Sequence, residues 1–345
     1  METWQKNLKA AIIDPGELAA LFPCDREAIA LVAERYPLRI SPYYLNLIQA
    51  PGDPIWRQCV PDVSELREDG LLSDPLEEEN LSPAPCIIHR YPDRVVFLAT
   101  TSCAAYCRFC MRKRKVGCSF ADVDREALES AIRYIEETPA VRDVILSGGD
   151  PLLLPDDQLD YLLQRLRKIP HVEIIRIGTR VPVTLPERIT PKLCRMLKSY
   201  HPLFINTHFN HPREVTPQSS LACSRLADAG IPLGNQTVLL KGVNDDPETM
   251  KSLMLRLLAI RVRPYYIHQM DLVKGTGHFR VEVKRGLEIM RGLRGYTSGL
   301  ANPYYVIDAP GGKGKIPLLP DSACFQDDLL VMRNYLGETI EYPLS

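Results

Sequence analysis

From about residue 95 to residue 270, short apolar, β-prone runs alternate with longer stretches whose apolar residues recur every three or four positions. The runs 95–100, 142–147, 172–178, 203–209, 234–240 and 263–269 predict strands. The stretches 123–137, 157–168, 190–200, 217–229 and 247–260 predict the helices between them. The last helix shows the local logic: Asp245 or Asp246 can cap it, Pro247 suits its first turn, and Met250, Leu253, Leu257 and Leu258 share one face. Strands joined by helical crossovers pair in parallel, so the pattern predicts an α/β fold. Its sheet is either doubly wound or curled into a partial barrel, and periodicity does not choose between them. In both, reactive groups collect at the carboxyl ends of the strands.

Ahead of this pattern, residues 1–94 read as a helical and loop-rich region. Helical spacing runs through 26–36, and prolines and acidic residues crowd the stretch from Pro51 to Pro85. The alternating core spans 95–275, and 276–345 forms a C-terminal segment. A chain of 345 residues can bury a substantial core, as two domains or as one α/β barrel. A net charge of -1 and a pI of about 6.7 give no whole-protein attraction to nucleic acid or to an anionic membrane. The start lacks an apolar signal region and no apolar stretch is long enough to span a bilayer, so the expectation is a soluble, cytoplasmic protein.

Chemistry enters directly after the first core strand. Thr101-Ser-Cys103-Ala-Ala-Tyr-Cys107-Arg-Phe-Cys110 sets three cysteines at C-x3-C-x2-C spacing. Four thiolates saturate a cubane iron–sulfur cluster, whereas three leave one iron open to a ligand that reacts. The alternative is structural zinc with Cys118 as fourth ligand, although zinc sites usually take their ligands in C-x2-C pairs. Cys24, Cys59, Cys86, Cys194, Cys223 and Cys324 are scattered singly and read as small apolar residues rather than a disulfide framework.

Other candidates lie where the strands end. Gly148-Gly149-Asp150 follows the second strand as a turn whose glycines let backbone approach a ligand closely. Thr179-Arg180 follows the third, His208 ends the fourth, Gln236 sits within the fifth and Asp271 lies just beyond the sixth. An amide such as Gln236 in a buried strand needs hydrogen-bond partners. Arg90, Tyr91 and Arg94, just before the first core strand, offer charge-assisted bonds for a phosphate. The loop from Asp308 to Lys315 is rich in glycine and carries Lys313 and Lys315 but is no Walker loop. It reads either as a solvated basic turn or as a lysine placed to bind pyridoxal phosphate (PLP).

Taken together, these segments resemble lysine 2,3-aminomutases, a family of PLP-dependent radical S-adenosylmethionine (SAM) enzymes. The likeness runs from about 85 to 320 and includes Arg90-Tyr-Pro-Asp-Arg94, the cysteine motif, Ser147-Gly-Gly-Asp150, Asn206-Thr-His-Phe-Asn-His-Pro212, Asn235-Gln236, Gly292-Leu-Arg-Gly-Tyr-Thr-Ser-Gly299 and the Asp308–Lys315 loop. It implies a partial (β/α)6 barrel and a [4Fe–4S] cluster on Cys103, Cys107 and Cys110. SAM would lie near Gly148, Gly149, Asp150, His208 and Gln236. PLP would be linked to Lys315, rather than Lys313, with Arg90, Tyr91 and Arg94 near its phosphate. Arg112 aligns with the arginine that pairs with the substrate carboxylate, and Asp271 and Asp308 with the carboxylates that bind the distal ammonium of lysine.

The implied reaction is interconversion of L-lysine and L-β-lysine, driven by a radical made from SAM and fed by a flavodoxin- or ferredoxin-type reductant. Two carboxylates disfavour a neutral or acidic substrate end, although a guanidinium would also satisfy them, which keeps arginine open. A short branch of the family that makes β-lysine for elongation factor P is a further alternative. Members with an intersubunit zinc have a cysteine where this chain has Asp246, together with a C-terminal cysteine cluster. No structural zinc is therefore expected here, and a homo-oligomer is left open.

Overall fold

The computed structural model describes residues 2–117, 123–319, 323–327 and 329–343. Nine strands form the main sheet: β1 (Ile87–Tyr91), β2 (Arg94–Thr100), β3 (Asp143–Gly148), β4 (Ile174–Gly178), β5 (Leu203–Thr207), β6 (Leu233–Leu239), β7 (Arg263–Gln269), β8 (Tyr304–Asp308) and β9 (Lys315–Leu318). Each strand lies beside its neighbours in sequence. β2 to β8 run parallel, while β1 and β9 close the two edges in antiparallel pairing. A doubly wound sheet reverses its strand order at a switch point. No reversal occurs here, so the right-handed crossovers all stack on one side, the topology of an open barrel. The six expected core strands are present, and β8 extends the parallel run by one.

Six helices cover the outer side: α1 (Arg125–Glu136), α2 (Asp156–Arg167), α3 (Pro191–Lys198), α4 (Pro217–Asp228), α5 (Pro247–Ala259) and α6 (Val283–Leu293). Their starts are chemically marked. Asp124, Thr190, Thr216 and Asp246 each accept a backbone N–H of the first turn, and proline opens α3, α4 and α5. On α5, Met254 joins Met250, Leu253 and Leu257 in the core, and Leu258, expected there, is only half-buried.

Alternation along the strands sorts the two faces of the sheet. Val95, Phe97 and Ala99 of β2 and Val144 and Leu146 of β3 are buried outward, against helix residues such as Ile132, Ile135, Leu159 and Leu163. The residues between them face the lumen and are half-buried: Thr100, Ser147, Gly178, Asn206, Gln236 and His268. A closed (β/α)8 barrel fills its lumen with branched apolar side chains. Here Val96, Leu98 and Ile145 keep the lumen face apolar lower down, while its carboxyl end is small and polar, which leaves room there for ligands.

The N-terminal region packs against this core. Its helices Thr3–Lys9, Pro15–Leu21, Arg26–Arg35 and Pro54–Cys59 contribute Trp4, Leu18, Ile29 and Ile55 to the same core. At the other end, β10 (Ala323–Gln326), β11 (Leu329–Arg333) and β12 (Thr339–Pro343) form a separate antiparallel sheet. No strand was expected there. Of the scattered cysteines, Cys59, Cys194 and Cys223 are buried and Cys24 and Cys86 half-buried, as small apolar residues would be. Cys324 is exposed and departs from that expectation. Among the described residues, no helix is long and apolar enough to cross a membrane.

Candidate active site

The exits of β2 to β8 and the start of β9 gather the chemistry-bearing residues at one end of the barrel. The cysteine loop leaves β2 and is pinned from outside. Tyr106 N donates to Arg39 O at 2.9 Å and Arg108 N to Gln58 O at 2.9 Å. The Arg108 side chain turns away from the site and donates to Glu65 Oε1 and Oε2 at 2.9 and 2.6 Å, and to the Pro37 and Tyr36 carbonyls. Lys113 Nζ reaches the same Glu65 carboxylate and the carbonyls of Arg108 and Gly275. Glu65 is buried, which alone would raise its pKa, but Arg108 and Lys113 outweigh burial and hold it below the carboxylate range.

Inside the loop, Cys107 Sγ accepts a hydrogen bond from Arg180 Nη1 at 2.8 Å. Arg180 is itself held by Tyr44, Gln58 and Glu214. Burial, then the charges of Asp150, Cys107 and Cys110, pushes the Cys103 thiol well up; burial and Cys107 push Cys110 up to about 11. Thiols pushed up in this way, at Cys103 and Cys110, take on thiolate charge when cations bind among them, which suits a metal cluster. Among the described residues, no set of three His, Cys, Asp or Glu closes around one metal ion. Each thiolate of a cubane takes a different iron, so such convergence is not required of a cluster. Cys118, the fourth ligand of the zinc alternative, lies outside the described residues.

The turn after β3 packs against the start of this loop. Gly148 has φ 124°, and a Cβ there would overlap the Thr100 carbonyl oxygen, while one at Gly149 would overlap that of Ser102. The close approach is thus to backbone of the cysteine loop. Asp150 is spent within the protein as well: its carboxylate accepts from Thr179 Oγ1 (2.7 Å), Arg180 N (2.7 Å), Val181 N (3.1 Å) and Leu152 N (3.2 Å). His208 leans on Phe109, with ring centroids 5.5 Å apart, and its buried Nε2 has no partner. Burial, reinforced by Arg180, holds its pKa well below the ordinary histidine value. Gln236 is half-buried on the lumen face, at a bulge. The buried amide of β6 is Asn235, saturated by Thr207, Phe209 and Thr237.

The far side is built on the β8–β9 hairpin. Its register sets Asp308 directly opposite Lys315. Lys315 Nζ lies 2.7 Å from Asp308 Oδ1, and its backbone N donates to the Tyr91 hydroxyl at 2.9 Å. Arg90 Nη1 also reaches Oδ1, at 3.2 Å, and His268 Nδ1 lies 3.2 Å from Oδ2. Burial alone would raise the Asp308 pKa, but the His268 hydrogen bond and the Lys315 ammonium hold it well below the carboxylate range. Nearby Asp271 is pushed up to about 7 by burial and by the charge of Asp308. Arg94 stacks over the Tyr91 ring, 3.9 Å from its centroid, and pairs with Asp93. Lys313, in contrast, is exposed on the turn.

Arg112 is not free on this side. Its Nε and Nη2 bind the Glu78 carboxylate at 2.8–3.1 Å, and Glu78 is 1% exposed. Two N–H groups on Nη1 and one on Nη2 remain, a fork suited to a second carboxylate. The segment carrying Glu78 also supports the lysine hairpin, since Gly311 N donates to Pro75 O at 2.9 Å.

Sequence reasoning overlooked Glu65, Glu78 and His268 and gave Arg180 no role. One sign of Glu78 was legible: the acidic run Glu77-Glu78-Glu79 is opposite in charge to the basic run Arg112-Lys113-Arg114-Lys115. Of the buried polar atoms left without partners, Arg90 Nε, His208 Nε2 and His268 Nε2 lie on this face. Unmet donors and acceptors around a polar lumen fit a site that binds polar ligands.

The profile of the Radical SAM superfamily matches residues 97–254, and one described as Lysine-2,3-aminomutase matches residues 290–344. An L-lysine 2,3-aminomutase of Fusobacterium nucleatum is 50% identical over 99% of this chain and 81% of its own. That of Clostridium subterminale is 49% identical over 98% and 83%. A glutamate 2,3-aminomutase of Clostridioides difficile is 46% identical over 98% and 81%.

Proposed function

Since the chain belongs to the lysine 2,3-aminomutase family of radical SAM enzymes, we propose that it interconverts L-lysine and L-β-lysine with the help of PLP. The reaction is an isomerisation: the amino group passes from C2 to C3 and one hydrogen passes from C3 to C2. When bound, a [4Fe–4S] cluster with SAM supplies a hydrogen-abstracting radical, and PLP supplies the carbonyl chemistry that makes an amine mobile.

The chain's own residues bind and orient. Cys103, Cys107 and Cys110 hold the cluster, with the Arg180 cation balancing thiolate charge at Cys107. Gly148, Gly149 and Asp150 shape the SAM side through the backbone they fix, and His208 and Gln236 offer polar atoms to it. Lys315 anchors PLP, with Arg90, Tyr91 and Arg94 beside its phosphate. Arg112 takes the substrate carboxylate on the N–H groups that Glu78 leaves, and Asp271 and Asp308 take the distal ammonium. Holding the reacting carbons in contact, away from water, is the protein's share of the catalysis.

The observation that carries this reading is the pair of carboxylates, Asp271 and Asp308, beside Lys315 at the barrel end that also bears the cysteine loop. A buried carboxylate pair favours a cationic end group and disfavours an acidic one. This argues for lysine over glutamate despite the glutamate-named relative.

The test is anaerobic turnover by protein reconstituted with iron, sulfide, PLP, SAM and a chemical reductant. L-lysine, L-arginine and L-glutamate are offered separately. β-Lysine formation is expected; turnover of glutamate alone overturns the reading. Zinc without iron in anaerobically purified protein overturns the cluster.

A further inference from the structure

Arg180 follows β4 directly, and its side chain is buried. Its Nη1 donates to Cys107 Sγ at 2.8 Å. The rest of the guanidinium is committed to the protein. Nη2 lies 2.6 Å from Gln58 Oε1, 2.8 Å from Glu214 Oε1 and 3.0 Å from the Tyr44 hydroxyl, and Nε donates to the His208 carbonyl at 3.2 Å. Swinging this side chain away would strand several buried polar groups.

Gln58 ties the clamp to the cysteine loop. Its side-chain oxygen receives Arg180, and its backbone oxygen receives the N–H of Arg108, the residue after Cys107, at 2.9 Å. Guanidinium and sulfur are thus referenced to the same residue, so their contact does not depend on one free side chain meeting another.

The contact has an electronic consequence. A guanidinium stays charged at every pH a protein meets. Reducing an iron–sulfur cluster adds one negative charge, and both net charge and hydrogen bonds to the sulfurs set its potential. A cation that donates to a ligand sulfur therefore favours the reduced form, and burial strengthens the effect. Glu214, also buried, shares Arg180 and offsets part of its charge.

We propose that Arg180 is a positioning residue that raises the reduction potential of the cluster through Cys107, with Glu214 limiting how much of its charge the cluster feels. This rests on the reading that Cys103, Cys107 and Cys110 hold a [4Fe–4S] cluster. The step concerned is a one-electron reduction: a low-potential donor loses the electron and the cluster gains it.

Potentiometry tests this in reconstituted, PLP-loaded protein kept without SAM. Redox dyes poise the solution, electron paramagnetic resonance counts the reduced cluster, and iron per chain is measured alongside. At the wild-type midpoint, Arg180→Gln should lower the reduced-to-oxidised ratio about tenfold, a one-electron shift of about 59 mV. Arg180→Lys, which keeps the cation without the fork, should lose less. Glu214→Gln should move the opposite way, to a higher ratio. An unchanged midpoint in Arg180→Gln with full iron overturns the proposal. A fall of like size in all three variants also overturns it, since that would report loosened packing. If Arg180→Gln takes up no iron, Glu214→Gln decides: a higher midpoint supports the proposal and any other result overturns it. Wild-type protein without a cluster signal defeats the reading of the cysteines, and the role of Arg180 with it.

Discussion

Asp308 and Lys315 face each other across the last two strands of the main sheet, carboxylate oxygen to ammonium nitrogen at 2.7 Å. The hairpin sets this alignment through its register, so it does not depend on a flexible loop finding its place. Lys313, two residues earlier, lies outside the paired strands and points to solvent. Lys315→Ala is therefore expected to abolish the visible absorbance of bound PLP, and Lys313→Ala to retain it. Absorbance spectra after PLP loading and gel filtration decide; the reverse result would place the anchoring amine on the turn.

Asp271 makes stability and binding respond to pH in opposite senses. Its carboxyl is pushed up to about 7, whereas the unfolded chain titrates near 3.9. The folded protein holds this proton more tightly, so the group detracts from stability increasingly as pH rises from about 4 to about 7. Asp271→Asn should raise the Tm of ligand-free protein at pH 8, with the gain fading towards pH 4. The same substitution should raise KM for lysine about tenfold or more, since a charged hydrogen bond is lost. Wild-type lysine binding should tighten as pH rises through 7. Paired melting curves and KM measurements across pH check both halves.

Glu65 fastens the cysteine loop from behind through Arg108 and Lys113, with all three side chains buried. Removing one partner of a buried pair costs about 3–5 kcal/mol, because the other charge stays behind. Glu65→Gln is expected to lower Tm and to leave less iron per chain after reconstitution than wild type. Iron that stays at the wild-type level, despite lower Tm, would mean that the loop holds its shape without this clasp.

The Gly148 position tolerates no side chain. Its φ of 124° is strained for any L-residue, and the Thr100 carbonyl occupies the place of a Cβ. Gly148→Ala must push apart the β3 exit and the start of the cysteine loop. The expected outcome is soluble protein with most of its brown cluster absorbance lost, whereas Gly299→Ala, where a Cβ meets open space, should keep it.

The elements legible in the sequence were those with regular local patterns. β2 to β7 and α1 to α5 follow periods of two or three to four residues, and the expected ends differ from the observed ones by at most two residues. β8 hides because Tyr305 and Val306 are both buried in succession, which breaks alternation. β9 hides because Pro317 demotes it, as befits the edge strand that it is. The cysteine loop and the strand-end residues were legible as motifs. The residues that hold them were not, because each pairs with a distant segment: Glu65 with Arg108, Glu78 with Arg112 and Arg180 with Cys107. Gln236 and Asn235 show the converse limit. Which amide faces the lumen depends on a bulge that sequence spacing does not reveal.

The strictly sequential strand order implies a timetable for synthesis. A ribosome that releases this chain from its amino end delivers the sulfur-bearing loop early, beside the first strands that cradle it. The amine at Lys315 emerges only after every parallel strand has been made. Under the roles proposed above for these residues, metal loading begins on a nascent chain, whereas capture of the aldehyde cofactor waits until the barrel's last edge is in place.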